Sequence, residues 1–338
     1  MRIVRILALL LVVAALAAGA LVWSGKVWLD TPLTGLVQPS MFEVQRGATV
    51  RSVATALQQK GIIDRPTVWV VWARLTHQAN NLKAGEYELQ PGMNPRAVLS
   101  LLSSGQVVLH SITFIEGSTF TDVRNALDGN DAIRHDYAKR PPGDIMQALG
   151  EAQLHPEGQF FPDTYHFARD TSDVEILAIA HRRLRQELDT AWSERAQDLP
   201  LANAYEALIL ASIVEKETAL ASERPQIAGV FIERLRRGMR LQTDPTVIYG
   251  MMETYDGNIR RADLTRDTPY NTYTRAGLPP TPIAMPSLES IRAAVQPDVS
   301  GALFFVATGE GDGSHYFSRT LSEHNEAVKR YLRRLRRE

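Results

Sequence analysis

Hydrophobic and polar residues follow three different rhythms along this chain, and each rhythm predicts a different kind of element. The first has no alternation at all. Residues 6–25 carry no charge, and as a helix rising about 1.5 Å per residue they would span roughly 30 Å, the thickness of a bilayer's hydrocarbon core. Arg2 and Arg5 precede the run and Lys26 follows it. The basic leading flank predicts an N-terminus in the cytoplasm and everything beyond the run outside it. The small residues of ALAAGA also suit a cleavable signal peptide, but the run is longer than a usual signal core. The expectation is a cytoplasmic tail over residues 1–5, an uncleaved single-pass anchor over residues 6–25, and a Pro- and Gly-punctuated linker over residues 26–40.

The other two rhythms, period two and period 3.6, share the rest of the chain. MFEV reads as a strand, Gly47 as a turn, and Val50, Val53, Ala54 and Leu57 as one face of a helix. Pro66 opens a second helix, Tyr87 and Leu89 alternate in a strand, and a further helix stops at Gly105. These form a small α+β subdomain over residues 41–109. A larger α+β domain follows over residues 110–338: a strand leading to Gly117, a helix headed by Thr119, and a long amphipathic helix over residues 172–196. A helix then runs through ILASIVEKETALASE, over residues 207–223. ALFFVATG reads as a late strand, and the chain closes on a basic amphipathic helix whose Leu and Tyr residues are expected to dock on the domain. The fold class expected is α+β behind an N-terminal transmembrane helix.

Composition narrows the chemistry mainly by exclusion. Of 338 residues, 44% are hydrophobic and 22% charged, with a net charge of −1, so no global field favours nucleic acid. With no cysteine, disulfides, thiolate metal sites and cysteine nucleophiles are excluded. His315 and His324 lie nine residues apart without the HExxH spacing, and no P-loop, dinucleotide fingerprint or GxSxG elbow occurs in context. No metal and no cofactor are expected.

One helix carries an anomaly. At about 100° per residue, Ile209, Leu210, Ile213, Val214 and Leu220 gather on one side. Glu217 falls into the middle of that stripe, whereas Glu215 points away as a solvated partner for Arg or Lys, and Lys216 borders. Two readings of Glu217 stand side by side. It is a helix-end carboxylate paired to a buried arginine, or it is a carboxyl held protonated by an apolar wall, as a general acid for glycosidic oxygen must be. Three other stretches interleave aromatic rings with amides, hydroxyls and carboxylates, a pattern that suits sugars as well as ordinary core and turns. They hold Glu157 in HPEGQFFPDTYHF, Gln242 and Asp244 in MRLQTDPTVIYG, and Tyr270, Asn271 and Tyr273 in TPYNTYTRAGLPPTPIAMPS.

The motifs SIVEKET, FFPDTYHF, RLQTDPTVIYG, YNTYTRAGLPPTPI and SHYFSRTLSEHN, in this order behind one apolar N-terminal run, resemble the YceG-like endolytic murein transglycosylases over nearly the whole chain. The small first module, with its V-x-x-G-x-T-V-x-x-V segment from Val44 to Val53, resembles a LysM module, which implies binding of N-acetylglucosamine-containing glycans. The family resemblance implies lytic cleavage of the β-1,4 bond between N-acetylmuramic acid and N-acetylglucosamine in nascent peptidoglycan strands, leaving a 1,6-anhydro end. It also implies that the second Glu of EKE, here Glu217, is the catalytic acid and base, and that the enzyme faces the periplasm from the inner membrane beside peptidoglycan synthases. Glu157, Gln242, Asp244, Tyr270, Asn271 and Tyr273 are the expected substrate-groove residues. Two alternatives remain: a hydrolase using Glu157 or Asp244 as its base, and a non-catalytic glycan-binding scaffold.

Overall fold

The computed structural model describes residues 2–252 and 254–336. Met1 of the expected tail, Glu253, and the last two residues of the expected 110–338 domain lie outside the described residues. The chain divides into two compact units, one holding residues up to His110 together with Phe167–Asp170, the other Ser111–His166 and the chain from Thr171 onward.

The first unit begins with a helix, α1 (Arg2–Asp30), whose stretch from Ile3 is long and apolar enough to cross a membrane and whose apolar surface is uncovered. It extends past the expected anchor, so the segment after Gly25 is not a loose linker. Its last turns are tied down: Trp28 Nε1 donates to Asp64 at 2.6 Å, and Asp30 pairs with Arg96 at 2.9 Å. Leu33 and Leu36, just beyond, are buried in the unit's core. Two antiparallel strands, β1 (Ser40–Val44) and β2 (Gly85–Leu89), flank two helices, α2 (Val50–Gln59) and α3 (Pro66–Leu75), in the order β-α-α-β, and α4 (Pro95–Ser104) completes the unit. Pro66 and Gly105 act as the sequence predicts, and a threonine cap not singled out there joins them. Thr49 caps α2 through Ser52, Pro66 sits in the first turn of α3, and Gly105 ends α4 in the left-handed region at φ 77°.

The second unit is mostly helical. Strands β3 (Leu109–Thr113) and β5 (Thr164–Ala168) pair, as do the short parallel β4 (Ile133–Arg134) and β6 (Thr171–Ser172). Between them lie α5 (Phe120–Asp128), capped by Thr119, and α6 (Pro142–Ala148). The long amphipathic helix is α7 (Asp173–Ser193), with Ser172 and Glu175 forming a capping box. The unit's core surrounds α8 (Ala204–Glu217), on which every residue from Ala207 to Val214 is buried. Around it pack α7, α9 (Arg224–Arg236), α10 (Asp244–Met251) and α12 (Leu288–Val295), with the short α11 (Arg261–Thr265) between the last two. An antiparallel hairpin, β7 (Phe304–Ala307) and β8 (His315–Ser318), leads to the terminal α13 (Leu321–Leu335). That helix docks through Ala327, its sole buried residue, while Leu321, Leu332 and Leu335 stay exposed. The leucines expected to dock therefore face solvent.

Gly229, inside α9, illustrates how tightly this core is drawn. A Cβ there would collide with the backbone oxygen of Asp298, whose own N–H donates to Pro225 at 2.9 Å. Helix propensity alone favours alanine over glycine by about 1 kcal/mol. Because the obstacle is backbone, the sign reverses here: Gly229→Ala should lower the melting temperature, and a raised one in thermal denaturation would contradict this packing.

Candidate active site

The site is built at the place where α8 stops. The sequence pattern carries the helix to residue 223, but Thr218 is extended (φ −145°, ψ 138°) and its hydroxyl accepts from Leu220 N at 3.0 Å. The chain then turns through a short 3₁₀ segment, Ala221–Glu223, before α9. Glu217 is thus the final residue of α8. The C-terminal end of a helix carries partial negative charge, which already disfavours a carboxylate.

Its surroundings disfavour it further. The carboxyl is enclosed by protein while the residue keeps a part-open face on a cleft of about 200 Å³, lined also by Arg234, Leu241, Gln242, Asp244, Tyr273 and Phe305. Burial pushes the Glu217 pKa up to about 7. The Thr243 hydroxyl, which donates to Oε1, pulls it down, the Asp244 charge pushes it up, and the His315 and Arg234 charges pull it down. A threonine donating to one oxygen leaves the proton of the neutral acid on the other, Oε2. Near neutral pH this group is therefore poised between acid and base.

Thr243 is itself fixed from below. Its N–H donates to Thr272 Oγ1 at 3.1 Å, its carbonyl accepts from Thr246 Oγ1 at 2.8 Å, and the Thr246 and Thr272 hydroxyls meet at 2.9 Å, all buried. Gln242, just before it, takes a left-handed φ of 51°, a conformation that costs a non-glycine residue about 1–3 kcal/mol. Asp244 opens α10, and its Oδ1 accepts the Tyr273 hydroxyl at 2.6 Å. Burial and the neighbouring Asp244 charge raise the Tyr273 pKa, so it remains a donor.

Of the residues expected at the site, Glu217, Gln242, Asp244 and Tyr273 come together on the cleft. Glu157, Tyr270 and Asn271 do not line it. Glu157 is buried, accepting from Phe120 N at 2.9 Å and from the Tyr249 hydroxyl at 3.0 Å, and burial raises its pKa to about 7. Tyr249 stands on α10 with its ring 4.8 Å from that of Tyr270, whose hydroxyl meets Thr281 at 2.9 Å. Asn271 spends its amide on the carbonyls of Asp263, Leu264 and Arg266 and on Tyr273 N. These groups shape the loops that carry Asp244 and Tyr273.

Glu215 corrects the solvated role read from the helical wheel. Its partner is an arginine, Arg224 at 3.2 Å, but both side chains are nearly inaccessible (6% and 9% exposed). The same carboxylate accepts from Ser287 N and Oγ at 2.9 and 2.5 Å and from Ser290 Oγ at 2.7 Å, closing the N-terminus of α12. The wheel failed because α8 is enclosed from Ala207 to Val214 and only Lys216 of its last turn is exposed, so the side opposite the apolar stripe is also protein.

Arg234 and Phe305 were not singled out from the sequence. Arg234 is buried, donating to Leu303 O at 2.7 Å and Leu241 O at 2.5 Å, and packs its guanidinium 5.3 Å from the centre of the Phe304 ring. A signal existed: it lies seven residues after Ile227 and three after Phe231, both buried, on the inward face of α9. It was hidden among Arg236, Arg237 and Arg240. Phe305 is held edge-on by His315, whose N–H and Nδ1 bind Glu223 at 2.9 and 2.7 Å. Among the described residues no cluster could hold a metal.

The second unit is thus a helical α+β frame presenting one enclosed, proton-bearing carboxyl to a polar cleft. The YceG-like family model matches residues 42–330. An endolytic murein transglycosylase of Bacillus subtilis is 31% identical over 307 residues, covering 86% of this chain and 84% of that protein. One from Streptococcus pneumoniae is 28% identical over 326 residues, 86% of this chain, which spans 58% of that relative's length. A crystallised YceG-like protein from Listeria monocytogenes is 29% identical with a TM-score of 0.49, covering 86% of this chain and 99% of that one. The chain belongs to the YceG-like family.

Two expectations test this geometry. In carboxyl-resolved NMR titrations, Thr243→Val should raise the Glu217 pKa and Asp244→Asn should lower it, because the first removes a bond to the ionised form and the second a like charge. Equal values in both variants would refute the arrangement. Glu215→Ala, which strands Arg224 in the core, should cost about 3–5 kcal/mol of stability, measured by denaturant unfolding.

Proposed function

We propose that this protein is a membrane-anchored endolytic lytic transglycosylase that cuts the bond between N-acetylmuramic acid and N-acetylglucosamine within peptidoglycan strands and leaves a 1,6-anhydro end. The single observation that carries the reading is the enclosed Glu217 carboxyl, held near a pKa of about 7 on an open cleft. The names of the Bacillus subtilis and Streptococcus pneumoniae relatives support the substrate class.

The chemistry needs one carboxyl. Glu217, protonated on Oε2 while Thr243 holds Oε1, gives its proton to the glycosidic oxygen as the bond to the anomeric carbon breaks. The C6 hydroxyl of the same muramyl residue attacks that carbon, and the Glu217 carboxylate takes the hydroxyl proton. The proton count closes and no water is consumed. Hydrolytic glycosidases pair two carboxylates for the same bond; here the nucleophile is intramolecular and gains from proximity. Gln242, Asp244 and Tyr273 supply groups for sugar hydroxyls, and Phe305 an apolar face. Arg234 limits how far the Glu217 pKa rises.

In this reading α1 anchors the protein in the inner membrane with its N-terminus in the cytoplasm and both units in the periplasm. The β-α-α-β order of the first unit supports a LysM-like module that holds glycan, and peptidoglycan synthases that make the strands are the expected neighbours. One observation favours a second reading, hydrolysis: Asp244 also lines the cleft and could activate water.

Digestion of purified sacculi followed by mass spectrometry decides between them. Anhydro-muramyl ends are expected, and reducing muramyl ends would overturn the lytic reading. Glu217→Gln should lose roughly 10²–10⁴-fold in rate. Because the acid must carry its proton, wild-type activity should fall as pH rises through about 7.

A further inference from the structure

The first unit contains an apolar groove that the proposed chemistry does not use. It has a volume of about 630 Å³ and lies between α1 and α3. From α1 it is lined by Leu21, Val22 and Gly25, and from α3 by Val68, Val71 and Leu75, with Lys26 and Arg96 at its rim. Val68, Val71 and Leu75 follow one another at spacings of three and four residues, so they form one face of α3. That face approaches α1 at Gly25, where the Val68 side chain comes within 3.5 Å of the position a Cβ would take, and Leu29 of α1 closes the inner end of the groove. Away from this point nothing covers it: Val71 is 49% and Leu75 70% exposed, opposite Leu21 at 78% and Val22 at 72%.

The length of α1 says what lies beside this groove. The stretch from Ile3 to Asp30 has 28 residues, about 42 Å at ~1.5 Å per residue, against a hydrocarbon core of roughly 30 Å. About eight residues are therefore left over. The folded unit grips this surplus: Arg65 donates to Ser24 at 3.0 Å, Trp28 to Asp64, and Arg96 pairs with Asp30. A bilayer around the charge-free run that begins at Ile6 then ends near Gly25, at the mouth of the groove. Leu21 and Val22 stand at acyl-chain depth, and Lys26 stands where phosphates begin. Arg96 lies 4.2 Å from the centre of the Trp72 ring, a cation on an aromatic ring, and tryptophan is enriched at membrane–water boundaries.

We propose that the wedge between α1 and α3 is a phospholipid site. An acyl chain of the surrounding leaflet fills the apolar groove, Lys26 and Arg96 meet the phosphate, and the first unit sits in the membrane interface instead of hanging below it. The proposal rests on α1 spanning the bilayer. Burying Val71 and Leu75 in lipid removes two large apolar side chains from water, and the groove is continuous with the lipid-facing surface of α1.

The absence of cysteine makes a clean test possible. Nitroxide labels are placed singly at Val71→Cys, Leu75→Cys, Val13→Cys in mid-α1 and Gln58→Cys on the exposed face of α2, in the full chain reconstituted into phosphatidylethanolamine–phosphatidylglycerol vesicles. Collision rates with oxygen, which concentrates in the bilayer, and with a water-soluble nickel chelate are then compared. The oxygen-to-nickel ratio should be severalfold higher at Val71 and Leu75 than at Gln58, and highest at Val13. Water-like ratios at Val71 and Leu75 with a high ratio at Val13 overturn the lipid site and leave the anchor standing. A water-like ratio at Val13 as well overturns the anchor reading and the lipid site with it. Low collision rates with both reagents at Val71 and Leu75 indicate a protein occupant, which also overturns the lipid site.

Discussion

The desolvation of one carboxyl at the end of a buried helix is the constraint around which the second unit is arranged. Taking a carboxylate out of water is expensive, and α8 brings two glutamates, two residues apart, out of a core that is closed all round. They resolve the expense in opposite ways. Glu215 gathers a guanidinium, a backbone N–H and two serine hydroxyls. Glu217, its pKa raised to about 7 by burial, receives one hydroxyl and a neighbouring negative charge. The first is an anchor for α12, the second the reagent of the function proposed above. Two residues on a helix are separated by about 200°, which lets one terminal turn serve both purposes.

Much of the frame was legible because it rests on local rules. Thr119 caps the helix it was expected to head, Pro66 opens α3, and Gly105 closes α4. Glu217 was legible as an anomaly, a charge in a run of apolar positions. What failed was reasoning that assumed every helix has a wet side. α8 is buried all round from Ala207 to Val214, so the angular argument separated its two glutamates correctly but gave Glu215 the wrong solvent. The end of α8 was equally hidden, because the apolar period continues through Leu220 while Thr218 leaves the helix. The site's remaining members depend on contacts between distant segments. Asn271 and Tyr273 look alike as sugar-binding candidates, and only the fold sends one to backbone carbonyls and the other to the cleft.

The loop before α10 shows how much of the site is backbone. Gln242 occupies the left-handed region, which turns the chain so that Thr243 can aim its hydroxyl at Glu217 and its N–H at Thr272. The two buried hydroxyls beneath it, of Thr246 and Thr272, bond each other and the Thr243 carbonyl. They hold the Thr243 backbone through its N–H and carbonyl, and the Thr243 hydroxyl, aimed at Glu217 Oε1, leaves Oε2 as the free oxygen.

The unbroken passage of α1 into the first unit has a mechanical meaning. A flexible linker would let the protein swing independently of its anchor, whereas a helix gripped by Asp64, Arg65 and Arg96 transmits rotation. In a bilayer, a helix longer than the hydrocarbon is thick accommodates the difference by tilting. Under the anchored reading proposed above, membrane thickness becomes an orientational variable: a bilayer thinner than the run from Ile6 to Gly25 is long tilts α1 and turns the first unit with it.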